Sequence, residues 1–210
     1  PVRLVHVFAT FDAGGPQVRT VEVCQMLGPA FEHVFVATDG RTGAVAHLRG
    51  LPHEVIALQR SNSNRRQLCD LAGVLRSRRP DLVLTYNWGA ILGCVAARVG
   101  RRPFIHHEEV VAIEERPPRM RRRDLVRRWL LQHAAGVVVP SHHLSEKAKA
   151  AWRVPATLLH RIPNGVDLTR HRRRSSSVGT LVIGCVANVR AEKNVPRLLR
   201  AFALWRSSRT

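Results

Sequence analysis

Two adjacent glycines follow the first apolar run of the sequence. Gly14 and Gly15 stand between a strand predicted over Leu4–Ala9 and a helix predicted to begin near Pro16. Glycine lets the backbone approach a ligand closely, and the first N–H groups of a helix suit a phosphate. A tight turn that needs glycine for its geometry alone is the alternative. The sequence has neither the GxGxxG dinucleotide pattern nor a P-loop, so the chemistry indicated here is limited to a phosphate contact.

A second polar group follows the strand predicted at Phe104–Ile105. His106, His107 and Glu108 come directly after it. Adjacent residues of an extended chain point to opposite faces, so the two histidines are not expected to bind one metal ion. One of them faces a cleft as a hydrogen-bond partner or acid–base group, and the other packs or is solvated. Asn87 ends another strand, where it either caps the next helix or hydrogen-bonds a substrate hydroxyl.

A third group lies near the C-terminus. Asn188, Arg190 and Lys193 stand between a strand predicted over Leu181–Ala187 and a helix with apolar residues at 195, 198, 199 and 202. Cations beside a helix start suit a diphosphate. A solvated basic loop is the alternative interpretation.

Apolar strands that alternate with helices position these groups. This alternation predicts an α/β fold with a doubly wound parallel sheet. The predicted strands are Leu4–Ala9, Val34–Ala37, Glu54–Leu58, Asp81–Tyr86, Phe104–Ile105, Val137–Val139 and Thr157–Ile162. The sequence further predicts an N-terminal domain over 1–168, a polar linker over 169–179, and the first strand and helix of a second, truncated domain over 180–210.

Arginine dominates the charge of the chain. Its 210 residues include 34 Lys and Arg against 15 Asp and Glu, which gives a net charge of +19. The excess suits nucleic acid, anionic lipid or a nucleotide diphosphate, or it reflects solvated surface arginines. The segment Arg116–Arg128 predicts a basic helix whose apolar stripe is Leu125, Val126, Trp129 and Leu130. Such a helix either packs against the core or contacts an anionic membrane.

Several kinds of site have no signature in this sequence. The four cysteines form no CxxC pair, which predicts buried, reduced thiols and a reducing compartment. There is no D-x-D, H-E-x-x-H or G-x-S-x-G pattern.

The longest apolar runs are too short to span a bilayer, and the chain opens directly on a strand, which predicts that it has no signal peptide.

Taken together, the motifs resemble the retaining glycosyltransferases of family 4, which have the GT-B fold. The most specific stretch runs from Ile162 to Asp167 (Ile-Pro-Asn-Gly-Val-Asp) and is followed by a strand and Glu192-Lys193-Asn194. The other matching segments are Phe11–Arg19, Asp81–Ala90, His106–Glu108, Val137–Ser141 and Ala187–Asn194. The family's Glu-x7-Glu segment would lie beyond Thr210.

The resemblance implies two Rossmann-like domains that close on a nucleotide sugar, with anomeric retention and without a metal ion. Catalytic roles fall to His107, beside the transferred sugar, and to Lys193, beside the leaving diphosphate. Gly14, Gly15, Asn188 and Arg190 join Lys193 in donor binding, although many relatives carry Arg where this chain has Asn188. Asn87, His106 and Glu108 lie on the acceptor side.

The function that the resemblance implies is sugar transfer to a glycan, a lipid-linked or a small-molecule acceptor, as in polysaccharide biosynthesis. The expected location is the cytoplasm or the inner face of the membrane. The 210 residues alone are expected to be inactive. Two alternatives stay open at this point, namely a nucleic-acid-binding protein that uses its arginines and an inactive, truncated relative.

Overall fold

A seven-stranded sheet, parallel throughout, organises the first 164 residues. The computed structural model describes residues 1–109, 117–166, 168, 183–187 and 193–208. The strands are β1 (Val2–Phe8), β2 (Phe31–Ala37), β3 (His53–Ala57), β4 (Leu82–Tyr86), β5 (Phe104–His107), β6 (Gly136–Val139) and β7 (Leu159–Arg161). Their order across the sheet is β3-β2-β1-β4-β5-β6-β7. The doubly wound parallel sheet predicted from the sequence is confirmed.

Helices connect these strands. They are α1 (Gly15–Leu27), α2 (Asn64–Arg78), α3 (Ile91–Val99), α4 (Pro117–Leu131), α5 (His142–Ala150) and, near the C-terminus, α6 (Val195–Ser207). Side-chain caps fix two of their starts, because Ser63 accepts a hydrogen bond from the N–H of Arg66 and Ser141 accepts one from the N–H of Leu144.

The core lies on both faces of the sheet. Successive strand residues alternate between two buried clusters, with Val34 and Val36 in one and Phe35 and Ala37 in the other. The first cluster also contains apolar residues of α2 and α3, and the second contains Val21 and Cys24 of α1. Burial on both faces explains why these strands read as continuous apolar runs.

The strand order reverses between β1 and β4. From β1 the chain builds β2 and β3 on one side, and it then returns to add β4 to β7 on the other. The loops that follow β1 and β4 therefore diverge at one edge of the sheet. In open α/β sheets, ligands bind in the crevice that such a divergence creates.

The chain divides into two units, Pro1–Asn164 and Gly165–Thr210. The residues of the predicted linker, 169–179, lie outside the described part. Helix α6 appears where the sequence predicts it, but Ile183–Ala187 forms no strand, which corrects that part of the prediction. A strand requires a hydrogen-bonded neighbour, and none of the strands among the described residues belongs to this unit.

Candidate functional site

The carboxyl ends of β1, β4 and β5 bring three of the predicted groups to one edge of the sheet. These strands are parallel neighbours, with Val7 opposite Thr85 and Tyr86 opposite His107. The loops after β1 and β4 carry the two glycines and Asn87, and the His106–Glu108 segment spans the end of β5. The edge therefore joins residues that lie more than 90 positions apart in the sequence.

Neither glycine of the first loop is needed for its backbone conformation. Positive φ angles among the described glycines occur at Gly28, Gly40 and Gly50, and not at Gly14 or Gly15. Gly14 is the extended N-cap of α1, with φ −150° and ψ 166°. A Cβ atom on Gly15 would meet no heavy atom of the described residues within 4 Å. The turn-geometry interpretation therefore loses its basis, and space beside Gly15 is open.

The start of α1 has no side-chain cap, and its first-turn N–H groups belong to Gly15 and Gln17, since Pro16 has none. The N-cap is Gly14, and the first turn contains no acidic residue. The first N–H groups of a helix lack intrahelical partners and carry the positive end of its dipole. This loop can therefore present donors and positive potential to an anion.

The loop itself is held firmly in place. Asp12 forms an ion pair with Arg41 and accepts a hydrogen bond from the N–H of Gly43 at 3.1 Å. Phe11 is fully buried and its N–H donates to the carbonyl of Arg41 at 2.9 Å. The glycines thus stand on a loop that the neighbouring β2–β3 connection supports.

Asn87 joins the loop after β4 to the loop after β5. Its backbone has a φ of 59°, which is rare for a residue other than glycine. Its side-chain oxygen accepts a hydrogen bond from the N–H of Glu109 at 2.8 Å, and its own N–H donates to the carbonyl of His107 at 2.7 Å. The side chain makes no capping hydrogen bond, so the predicted helix-capping role is wrong. Its place on the acceptor side stays a prediction.

His107 presents a nitrogen atom without a protein partner. Its ring stacks on Tyr86 with centroids 4.9 Å apart, and its Nε2 atom is buried with no hydrogen-bond partner among the described residues. Burial, together with the positive charges of His106 and Arg19, lowers the pKa of His107 to about 4. The imidazole is therefore neutral near pH 7 and has hydrogen-bonding capacity to offer a ligand.

An ion pair adjoins this histidine. Arg19, in the second turn of α1, contacts the carboxylate of Glu109, whose side chain is only 8% exposed. The pair ties α1 to the segment that follows β5. It also places a cation close enough to His107 to contribute to the lowered pKa of that imidazole.

His106 takes the opposite side of β5, as the alternation of strand side chains predicts. Its Nδ1 lies 2.8 Å from the hydroxyl of Thr85 and its Nε2 lies 3.2 Å from the Glu108 carboxylate. Burial alone would lower the pKa of His106, but Cys94 and Glu108 outweigh that effect and raise it to about 9. Both His106 and Glu108 are fully buried. This placement differs from the acceptor-side position that the resemblance implied for them, because their polar atoms face the protein interior.

The Glu108 carboxylate is held by a buried arginine of α4 that lies outside the predicted apolar stripe. Arg127 donates two hydrogen bonds to it, from Nε at 2.7 Å and from Nη2 at 3.0 Å. The guanidinium lies between the rings of Trp88 and Trp152, at 4.8 and 5.0 Å from their centroids. Burial raises the pKa of Glu108, but His106 and Arg127 outweigh it, so the pKa lies below its usual value.

The orientation of α4 therefore differs from the prediction. Arg127 is 2% exposed, whereas Leu125 is 62% and Trp129 is 58% exposed. Leu130 is buried, together with Leu131. The predicted stripe is wrong at Leu125, Val126 and Trp129 and right at Leu130. Arg127 turns inward to form a bidentate pair with a buried carboxylate, and apolar periodicity carries no sign of such a partner.

The outer face of α4 combines apolar and cationic groups. Leu125 and Trp129 lie on it, and the guanidinium of Arg98 lies 4.8 Å from the Trp129 ring centroid. Arg121 and Arg122 are exposed on the same helix. Among the described residues, no helix has both the length and the apolar character that a membrane crossing requires.

The remaining residues of interest come from other parts of the sequence. Lys193 is exposed in the second unit, just before α6, while Asn188 and Arg190 fall outside the described residues. His142 and His143 are exposed at the start of α5. All four cysteines are free, but only Cys24 and Cys94 are buried, so the prediction of burial fails for Cys69 and Cys185.

Solved structures share this fold at low sequence identity. HepE from Anabaena in complex with UDP-glucose aligns with a TM-score of 0.59 and 14% identity over 83% of this chain and 47% of its own. A glycosyltransferase from Rickettsia africae gives 0.57 and 16% over 80% of this chain and 44% of its own. UDP-GlcNAc 2-epimerase from Neisseria meningitidis, bound to UDP-GlcNAc, gives 0.52 and 15% over 76% and 45%. The chain spans less than half the length of these proteins.

Comparison by sequence gives a family. No curated protein matches the chain significantly. The family model described as "Glycosyl transferase 4-like domain" matches residues 14–165, which include the two glycines, Asn87 and the whole His106–Glu108 segment. With most of its length in that match, the chain belongs to the glycosyl transferase 4-like family.

Proposed function

We propose that this chain forms the acceptor-side part of a glycosyltransferase that moves a sugar from a nucleotide sugar to an acceptor hydroxyl. The observation that carries the proposal is the juxtaposition, at one sheet edge, of the α1 N-terminus with open space beside Gly15 and a neutral histidine whose Nε2 has no partner among the described residues. The first feature suits the diphosphate and the second suits a sugar hydroxyl. The UDP-sugar complexes of the similar folds support a nucleotide sugar as the donor.

The donor's diphosphate and transferred sugar approach the loop at Gly14 and Gly15. A side chain at Gly15 would occupy space that the protein itself leaves open. The positive end of the α1 dipole stabilises the phosphate charge there. Arg19 adds a cation near the same edge, although it is paired with Glu109.

His107 orients the sugar as a neutral hydrogen-bond partner. Its pKa of about 4 excludes a protonated imidazole near pH 7, so it does not act as a cationic acid in the resting state. Tyr86 supports its ring by stacking, and Asn87 fixes the backbone on either side. Asn87 also offers the acceptor a polar group at the rim of the site.

Lys193 completes the proposal from the second unit. It neutralises the nucleoside diphosphate as the bond to the sugar breaks, which is the electrostatic work that a metal ion performs in other transferases. Asn188 and Arg190 assist in donor binding. We further infer that transfer is metal-independent and retains the anomeric configuration, as the resemblance to family 4 implies.

Gly15→Ala tests the donor loop in the full-length protein. We expect sugar transfer to fall about a hundredfold, since a small displacement of bound groups has effects of that size. Folding should not suffer, because the new Cβ meets no atom of the described residues. Gly73→Ala is the matched control, since its Cβ also meets nothing within 4 Å and it lies on α2, outside the candidate site.

The assay measures nucleoside diphosphate release with a panel of nucleotide sugars, beginning with UDP-glucose. Equal turnover of the Gly15→Ala and Gly73→Ala variants at equal thermal stability would contradict a donor contact at Gly15. Lys193→Ala is expected to lower turnover about a hundredfold as well. Normal turnover in that variant would contradict the leaving-group role.

We also propose that the outer face of α4 contacts an anionic membrane surface where a lipid-linked acceptor resides. Leu125 and Trp129 supply apolar contact, and Arg121 and Arg122 supply positive charge. The double variant Arg121→Glu/Arg122→Glu should lose binding to vesicles that contain phosphatidylglycerol. Arg65→Glu/Arg66→Glu on α2 is the control of equal charge change. Equal vesicle binding by the two double variants would refute the surface.

A further inference from the structure

Three metal-binding side chains that are distant in the sequence meet beneath α1. His6 lies on β1, Cys24 on α1 and His33 on β2, and they are 2%, 1% and 1% exposed. Their potential ligand atoms all lie within 4.8 Å of one another. No CxxC or HxxxH spacing announces this group, because its members come from three different elements.

The distances within this cluster fit a tetrahedral metal ion. His6 Nε2 lies 3.0 Å from His33 Nδ1 and 3.8 Å from Cys24 Sγ. With Zn–N bonds of about 2.0–2.1 Å and a Zn–S bond of about 2.3 Å, tetrahedral angles separate two nitrogen ligands by about 3.3 Å and nitrogen from sulfur by about 3.6 Å. The first two separations are within a few tenths of an ångström of these values, and the third, between the ligand atoms of Cys24 and His33, is at most 4.8 Å.

Surrounding groups already orient one of the ligands. The other ring nitrogen of His6, Nδ1, lies 2.9 Å from the hydroxyl of Tyr86. The ring of Phe35 stacks on His6 with centroids 4.8 Å apart. Metal-binding histidines usually have such a hydrogen-bond partner on the second nitrogen, which fixes the ring and leaves the first nitrogen free to bind.

We propose that His6, Cys24 and His33 bind a single zinc ion, with a water molecule as its fourth tetrahedral ligand. The two imidazoles bind as neutral ligands, and the Cys24 thiol loses its proton to solvent as the Zn–S bond forms. The ion replaces the hydrogen bond between the two histidines. Two nitrogens and a thiolate favour zinc over magnesium or calcium, which prefer oxygen ligands.

This site is separate from the proposed transfer chemistry. Its link to that chemistry is structural, since Tyr86 contacts His6 through its hydroxyl and stacks on His107 with its ring. The zinc ion would join α1, β1 and β2 behind the glycine loop. Sugar transfer that needs no metal at the diphosphate remains compatible with it.

Cobalt binding gives a direct test. Cys69 and Cys185 are exposed thiols, so both are first replaced by serine to provide a clean background. Chelator-treated protein is then titrated with Co²⁺, both in the native state and during refolding from guanidinium, because the site is buried. We expect one equivalent of Co²⁺, a thiolate-to-cobalt charge-transfer absorption band, and displacement of the cobalt by Zn²⁺.

A matched variant assigns the ligand. Cys94 is also buried and lies 3.5 Å from His106 Nδ1, but it belongs to no three-ligand cluster among the described residues. The band should persist in the Cys94→Ala variant and disappear in the Cys24→Ala variant, with folding of both verified by circular dichroism.

No band in the background protein, or a band that survives Cys24→Ala, would overturn the proposal. If Cys24→Ala fails to fold, loss of the band in a folded His33→Gln variant supports the site and its persistence refutes it.

Discussion

Removal of the guanidinium of Arg127 should destabilise the protein severely. The Arg127→Met substitution keeps much of the side-chain volume between Trp88 and Trp152 but leaves the Glu108 carboxylate, which is fully buried, without its bidentate partner. Breaking a buried ion pair by removing one partner costs about 3–5 kcal/mol. At about 2–4 °C per kcal/mol for a domain of this size, Tm should fall by about 6–20 °C.

The assay is thermal or urea unfolding followed by circular dichroism. Arg128→Met is the matched control, because Arg128 is the next residue of α4 and its side chain has no hydrogen bond or ion pair within the described part of the chain; Gln132 bonds its backbone carbonyl only. We expect the control to change stability by no more than about 0.5 kcal/mol. The double variant Arg127→Met/Glu108→Gln should recover part of the loss, because it removes the unpaired charge as well.

Two results would refute this reasoning. If Arg127→Met unfolds at the same temperature as Arg128→Met, the ion pair does not support the fold. If Arg127→Lys is as stable as the wild type, a point charge suffices, and the planar bidentate geometry that we emphasise is unimportant.

Three further predictions follow from the same edge of the sheet. Folding raises the pKa of His106 to about 9, so the stability that this residue contributes is complete below pH about 6.5 and is lost as the pH rises toward 9. Burial lowers the pKa of His107 to about 4, so the stability of the protein falls as the pH drops from about 6.5 toward 4. In Tm measured against pH, His106→Gln should flatten the alkaline limb and His107→Gln the acid limb, and curves that superimpose on the wild type would contradict this. Asn87→Ala should lower the free energy of unfolding by urea by about 1–3 kcal/mol, since the N–H of Glu109 loses its acceptor. Asn87→Gly loses the same hydrogen bond but relieves the positive φ, so its loss of stability should be smaller. An equal loss in the two variants would show that the backbone angle carries no strain. Gly89→Ala should destabilise by about 1–3 kcal/mol, because its Cβ would lie 2.5 Å from that of Ala9, and an unchanged Tm would mean that the two loops separate freely.

Much of the fold follows from the sequence because burial on both faces of the sheet gives each strand a recognisable apolar pattern. Strands such as Val34–Ala37 are continuous apolar runs, and Pro80 marks the end of α2 within two residues. The strand register needs no further information once β1 and β4 are known to be neighbours. The carboxyl ends of the strands then indicate which loops meet.

The candidate site was predictable only in part, because its partners are distant in sequence. Alternation along β5 predicts that His106 and His107 face opposite ways, but it does not say which ring finds the Glu108 carboxylate. Nothing local shows that Arg127 reaches that carboxylate from α4, 19 residues later.

The second unit shows the limit of local pattern. Leu181–Ala187 has the composition of a buried strand, yet the described residues 183–187 are not one. A strand forms only when it is hydrogen-bonded to a neighbouring strand, so an apolar composition alone does not produce one. Helix α6 needs no such partner for its backbone hydrogen bonds, and it forms as predicted.

The order of the strands has a consequence for synthesis on the ribosome. Strand β1 emerges first, yet one of its two neighbours, β4, begins at Leu82. Until then, the nascent chain can pair β1 only with β2, leaving the other edge of Val2–Phe8 open to contacts with other chains. About eighty residues must therefore be translated before the centre of the sheet can close, and this interval is when a chaperone would be of most use to the protein.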